Sequence, residues 1–326
     1  MMLSPKKRLE VLDALRRGTV PKDGLDVLAV GLDRFRDPID QELRRTSDGG
    51  CGFKAVRGEY GCGKTFFSRW LQQEARALNF ATAEVQISET ETPLHKLETV
   101  YRRMLERLAT SSARSGAFRG IIDSWFFALE EDVLSAGGVD PNDEQALLKA
   151  TSELMEKRLG TISNKAPSFA AALRAYRECL AEGDTAMAEG LIAWLSGQPN
   201  VAASVKRRAN IKGDVDHFAA LSFLQGLLAV LKDSGHPGLV LVLDEVETLQ
   251  RVRSDIREKA LNALRQLIDE LDAGRFPGLY LVITGTPSFF DGPQGLKKLP
   301  PPSPSAYRPI SIRTSDSTIP GHRRFA

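Results

Sequence analysis

The eight residues Gly58-Glu59-Tyr60-Gly61-Cys62-Gly63-Lys64-Thr65 restrict this chain more than any other segment. They fit G-x-x-x-x-G-K-[ST] at every fixed position, the pattern of a loop whose backbone N–H groups turn inward around phosphate oxygens at a helix N-terminus. The glycines permit that turn, Lys64 reaches the β and γ phosphates, and Thr65 offers its hydroxyl to Mg²⁺. Such a loop needs a strand before it and a helix after it. Phe53–Val56 reads as the short strand and residues from Lys64 to about Leu78 as the helix. A plain glycine turn is the alternative, and the flanking pattern argues against it. The candidate cofactor-binding set is Gly58, Glu59, Tyr60, Gly61, Cys62, Gly63, Lys64, Thr65 and Phe66.

A phosphate loop of this kind works with a carboxylate from another strand. Leu239-Val-Leu-Val-Leu243 lies between Pro237-Gly238 and Asp244, the pattern of a strand buried on both faces. Asp244 at its end suits the water shell of Mg²⁺, so Thr65 and Asp244 are the candidate metal-holding residues. Glu245 is the candidate general base for an attacking water. Helix N-capping is the plain alternative for an Asp-Glu pair, and it weakens once a phosphate loop lies upstream. Gly278–Ile283 reads as another buried strand, ending in Thr284-Gly-Thr-Pro287. Thr284, with Thr286 second, is expected to contact the γ phosphate or orient the water, against the alternative of a simple turn. The candidate catalytic residues are thus Lys64, Glu245 and Thr284.

Around these segments, strands alternate with helices, which implies a parallel sheet with right-handed crossovers. Residues 1–47 read as an N-terminal helical segment, with helices over Lys6–Arg17 and about Leu25–Leu43. Residues 48–115 hold the phosphate loop, a strand over Ala83–Ile87 and a helix over Leu94–Leu108 whose Arg102, Arg103 and Arg107 fall on the wet side. Residues 116–237 show three-to-four-residue apolar spacing throughout and no convincing strand, so they read as a large helical insertion. Residues 238–299 complete the sheet. Residues 300–326 hold 6 of the 17 prolines with no periodicity and read as an irregular Pro/Ser-rich tail, with a truncated or frameshifted chain the leading reading and a disordered tail the alternative.

Composition excludes several classes. Of the 326 residues, 42% are hydrophobic and 26% charged, enough apolar content to build a core. No run approaches the roughly 18 apolar residues that a membrane span requires. Three cysteines without ligand spacing suit a reducing cytoplasm, and the start carries no secretory signal. The net charge of +2 rests on the tail, where four arginines face one aspartate, so bulk charge makes no case for nucleic acid.

The order of phosphate loop, intervening strand, acidic strand and polar-tipped strand resembles the additional-strand (ASCE) class of P-loop ATPases, AAA+ proteins among them. No Asn-Lys-x-Asp base-reading motif occurs, which disfavours small GTPases. Three stretches narrow the likeness: Arg57-Gly-Glu-Tyr-Gly-Cys-Gly-Lys-Thr-Phe-Phe67, Glu84-Val-Gln-Ile-Ser-Glu-Thr-Glu-Thr-Pro-Leu94 and Leu243-Asp-Glu-Val-Glu-Thr-Leu249. From about Leu9 to Leu299 the chain is similar to the BrxD ATP-binding proteins of bacteriophage-exclusion (BREX) systems. The resemblance implies an α/β P-loop NTPase with a large α-helical insertion, ATP and Mg²⁺ as cofactors, and a cytoplasmic place in antiphage defence. It implies other BREX proteins as partners, with DNA and further copies of the chain as additional ones, and no membrane. It also implies a fifth strand beside the phosphate-loop strand, which no segment before Leu299 supplies, so that edge is expected to be bare. ATP hydrolysis driving a motor or switch is the leading reading, and a non-hydrolysing ATP-dependent assembly module the alternative.

Four further features are ambiguous in the sequence. Lys206-Arg207-Arg208 with Lys212 reads as a DNA-phosphate patch, a trans-acting arginine site or a solvated helix end. Arg251, Arg253 and Arg257 read as subunit contacts or as partners of Asp255 and Glu258. Cys62 sits near a helix N-terminus, which lowers a thiol pKa, or is simply a small residue. Trp70, Trp125 and Trp194 fall at helical packing positions and read as core, with base stacking the alternative.

Overall fold

The computed structural model describes residues 4–21, 24–140, 142–296 and 310–312. Five strands form one all-parallel sheet: β1 (Gly52–Arg57), β2 (Ala81–Gln86), β3 (Leu239–Asp244), β4 (Leu279–Gly285) and β5 (Ile310–Ser311). Their order across the sheet is β2-β3-β4-β1-β5. The acidic strand therefore does not lie beside the phosphate-loop strand, because β4 runs between them. Register brings the strand tips level: Val56 faces Thr284, Leu243 faces Ile283, and Gln86 faces Asp244. The polar ends of β2, β3 and β4 thus meet at one rim of the sheet, next to the loop that leaves β1. This is the α/β fold of a P-loop NTPase, as expected.

Both faces of the sheet are covered. β3 and β4 are buried along their whole length, which is why they read as unbroken apolar runs rather than alternating ones. Val240, Val242, Tyr280 and Val282 pack against α2 (Asp33–Ser47) and α3 (Lys64–Ala77). Leu241, Leu243, Leu281 and Ile283 pack against α4 (Leu97–Arg107) and, from the far end of the chain, α11 (Ser254–Asp272). An outer helix, α1 (Pro5–Arg16), precedes these layers, and α12 (Pro287–Asp291) follows β4.

The described residues of 116–237 form six helices: α5 (Phe118–Ala136), α6 (Glu144–Ser163), α7 (Pro167–Glu182), α8 (Thr185–Leu195), α9 (Ala203–Arg208) and α10 (His217–Asp233). Their apolar side chains join one continuous cluster with the α4 face of the sheet. Phe223 on α10 is the centre of that packing. Its ring meets those of Tyr101, Phe169 and Trp194 edge-on at 6.0, 5.2 and 5.3 Å, the favoured aromatic geometry. Trp70, Trp125 and Trp194 are all core residues, as their spacing predicts.

Two expectations are corrected. The helix expected from Leu25 to Leu43 is interrupted: Leu25–Val27 is a single 3₁₀ turn, Gly31 takes a left-handed φ of 80°, and α2 begins only at Asp33. The edge beside β1 is also not bare among the described residues. β5 pairs there in parallel, with Val56 opposite Ile310 and the Ile312 amide donating to the Arg57 carbonyl at 2.8 Å. Residues 300–309 and 313–326 of the expected irregular tail lie outside the described residues.

An ion pair between a buried ammonium and a half-buried carboxylate fixes α2 to the sheet. Lys54, 7% exposed, donates to Glu42 Oε1 at 2.6 Å, and the buried Tyr280 hydroxyl donates to Glu42 Oε2. Removing one partner of such a pair leaves an uncompensated buried charge. Glu42→Ala is therefore expected to destabilise the protein by about 3 kcal/mol in urea unfolding. A loss below about 1 kcal/mol would show the Lys54 ammonium to be solvated, as in exposed pairs.

Candidate nucleotide site

The loop between β1 and α3 takes its shape from its glycines. Gly61 and Gly63 have φ of 76° and 95°, a region that side chains with a Cβ rarely enter. Gly58 is required for another reason: a Cβ there would stand 2.2 Å from Cys62 Sγ and 2.9 Å from the Ile312 carbonyl. The loop delivers the chain into the first turn of α3, whose leading N–H groups have no intrahelical acceptor. Among the described residues, no hydrogen bond uses the amides of Gly61, Gly63 or Thr65.

Lys64 is buried at the start of α3. Its ammonium donates to the Gly58 and Glu59 carbonyls at 2.9 and 3.2 Å and lies 5.2 Å from the Tyr60 ring centroid. Glu59 and Tyr60 are exposed, Phe66 packs against the α2–α3 side of the sheet, and Tyr60 accepts from Arg251 at 3.1 Å. Cys62 is buried in the loop, and that burial pushes its thiol pKa up, outweighing Lys64. That goes against the lowered-thiol reading of Cys62 and leaves the small-residue one.

Asp244 is the hub. Its Oδ2 accepts from Thr65 Oγ1 at 3.1 Å, while Oδ1 accepts from the Thr284 hydroxyl and from the Glu245 amide at 3.1 Å. The Glu245 amide also reaches Thr284 Oγ1 at 3.2 Å. These bonds hold Glu245 at φ 59°, ψ 40°, a left-handed conformation costing a residue with a Cβ about 1 kcal/mol or more. Its carboxylate accepts from Gln86 Nε2 at 3.0 Å. Lys64, Thr65, Asp244, Glu245 and Thr284 thus come together from α3, β3, β4 and the turn after β3. A hydroxyl and a carboxylate oxygen 3.1 Å apart are the hard-oxygen set that suits Mg²⁺. Thr286 is turned to Ser288, at 2.9 Å, in the cap of α12.

Two residues here carry no assignment from the sequence. Glu247 is 4% exposed, neither carboxylate oxygen has a hydrogen-bond partner among the described residues, and Oε1 stands 3.7 Å from the Lys64 ammonium. A 3₁₀ turn over Val246–Gln250 folds it back toward the loop, three residues after Asp244. Gln86 ends β2, where Thr82, Glu84 and Gln86 form a polar row on one face. That alternation is visible in the sequence; its target, just past the end of the neighbouring β3, is not.

Other basic candidates are largely spent on neighbours. Lys206 pairs with Asp214 at 2.6 Å, and Arg208 with Glu182 at 2.7 Å and Glu178 at 3.2 Å. Arg253 pairs with Asp255 at 2.9 Å, and Arg257 reaches the Gln250 and Val252 carbonyls at 3.5 Å.

A family model described as "BREX system ATP-binding protein BrxC/D" matches residues 3–303, nearly the whole chain. The chain belongs to the BrxC/D family. The resemblance to BrxD is shown at the level of this joint family, and with it ATP as the nucleotide and BREX phage defence as the setting. No curated protein and no solved structure matches the chain. Among the described residues, no helix is long and apolar enough to cross a membrane.

Proposed function

We propose that this BrxC/D family member is a Mg²⁺-dependent ATPase of the BrxD type, acting as a motor or switch whose output passes to DNA or to other BREX proteins. The observation that carries this reading is the Thr65–Asp244–Glu245–Thr284 hydrogen-bond network at the mouth of the glycine loop. Thr65 and Asp244 would hold Mg²⁺, which would supply charge neutralisation at the phosphates. Lys64 exchanges the loop carbonyls for phosphate oxygens, and the loop amides complete the cradle. Glu245 takes the proton of the water that attacks the γ phosphorus as the bond to the β-phosphate oxygen breaks. Thr284, fully buried with its hydroxyl spent on Asp244 and Glu245, positions both carboxylates rather than touching the phosphate.

The test is ATP turnover with and without duplex DNA, against Lys64→Ala. Turnover that requires Lys64 supports the reading; ATP binding without turnover moves it to an assembly module. The Gln86 bond to Glu245 favours that second reading, because it engages the carboxylate that hydrolysis needs. Thr284→Val, equal in shape, removes the hydroxyl that orders Asp244 and Glu245. An unmet buried partner costs about 1–3 kcal/mol, so turnover should fall by about one to two orders of magnitude with KM for ATP little changed. An equal rise in KM would mean that Thr284 contributes to binding instead.

A further inference from the structure

A polar cavity of about 590 Å³ opens on the α3 side of the sheet's β2 edge. Four arginines line it, Arg69 and Arg76 from α3, Arg107 from the end of α4 and Arg114 beyond it, and Glu84 is the one carboxylate among its described lining residues. Glu84 is already matched, since Arg69 reaches both its oxygens at 3.2–3.4 Å. Arg76 donates to Thr82 at 2.9 Å, and Arg114 lies 4.0 Å from the exposed Glu10. Arg107 is exposed, and no ion pair or hydrogen bond among the described residues uses it. The remaining wall carries Ser and Thr hydroxyls and no aromatic ring. Guanidinium forks with hydroxyl donors match phosphate oxygens, and the lack of aromatic surface argues against a platform for stacked bases. Gln86 also lines the cavity, and its side-chain amide donates to Glu245 at 3.0 Å.

We propose that this cavity binds phosphate groups of a nucleic acid backbone and that its occupancy is relayed through Gln86 to Glu245. A phosphate oxygen that takes the Gln86 amide releases the Glu245 carboxylate, so the occupied cavity has the free base and the empty one the restrained base. The relay rests on the ATPase reading; the binding site does not.

Two measurements on the full chain keep these apart. The first is anisotropy of a labelled duplex DNA oligonucleotide, without nucleotide, for wild type and for Arg107→Ala with Arg114→Ala. The double variant should bind about tenfold or more weakly, with a salt dependence shallower by about one unit for each phosphate it no longer engages. Unchanged affinity at an unchanged melting temperature overturns the site. Competition with inorganic tripolyphosphate separates the two sources of phosphate: weak competition supports nucleic acid, and displacement at equal phosphate concentration assigns the cavity to a small anion and overturns the backbone proposal. The second is ATP turnover of Gln86→Ala. Basal turnover should rise several-fold and no longer respond to DNA, whereas a DNA response equal to wild type overturns the relay. Loss of turnover in wild type together with intact DNA binding would defeat the ATPase reading alone.

Discussion

Glu245→Gln is expected to lower ATP turnover by about 10²–10⁴-fold, the usual contribution of a positioned general base, while ATP remains bound. The substitution keeps size and hydrogen-bonding reach, and the Glu245 amide keeps its bonds to Asp244 and Thr284. The left-handed backbone should therefore persist, and only proton uptake is lost. Single-turnover assays with filter-retained ATP separate the two effects: slow chemistry with undiminished retention is the expected pair. Turnover within about threefold of wild type would remove Glu245 from the mechanism and leave water activation to another group.

Lys64→Ala should act twice. Loss of a charged donor to phosphate is worth about 1.5–3 kcal/mol, so ATP affinity should fall by roughly 10- to 100-fold. The same change strips Glu247 of the cation 3.7 Å from its buried carboxylate, and breaking a buried pair costs about 3 kcal/mol. Burial is the main cause that raises the Glu247 carboxyl above its ordinary range, Glu245 and Asp244 add to it, and Lys64 opposes it. Without Lys64 that upward shift grows. A carboxyl raised in the folded state stabilises the fold below the ordinary glutamate range near about pH 4.3, and the contribution is lost as pH rises through the folded value. Lys64→Ala should thus approach wild-type stability in acid and fall behind toward neutral pH. Adding Glu247→Gln should restore the melting temperature without restoring ATP affinity. Recovery of both would mean that Lys64 serves the fold rather than the phosphate, and that the loss of binding came from unfolding.

The local chemistry of the site was legible because it is written in contiguous residues. A glycine loop must take left-handed backbone at Gly61 and Gly63, and an apolar pentad closed by Asp244 must be a strand with its acid at the tip. The buried strands β3 and β4 and the helical run from Phe118 to Asp233 follow from apolar spacing alone. What spacing does not encode is distance between segments far apart in the chain. β5 is two residues long, too short for any periodicity, and exists because the edge of β1 offers unpaired backbone groups. Cys62 and Cβ-less Gly58 are matched to each other by a contact that only the folded loop creates.

Sequence by itself determined the glycine loop between β1 and α3, the acid-tipped strand and the α/β alternation, since each is a property of neighbours along the chain. Tertiary structure alone decided that β4 separates β1 from β3, that Thr284 backs Asp244, that Glu247 sits against Lys64, and that Gln86 spans an arginine-lined cavity and Glu245. Parallel strands need long crossovers, so their tips meet across separations such as the 159 residues between Gln86 and Glu245, where no local pattern records the meeting.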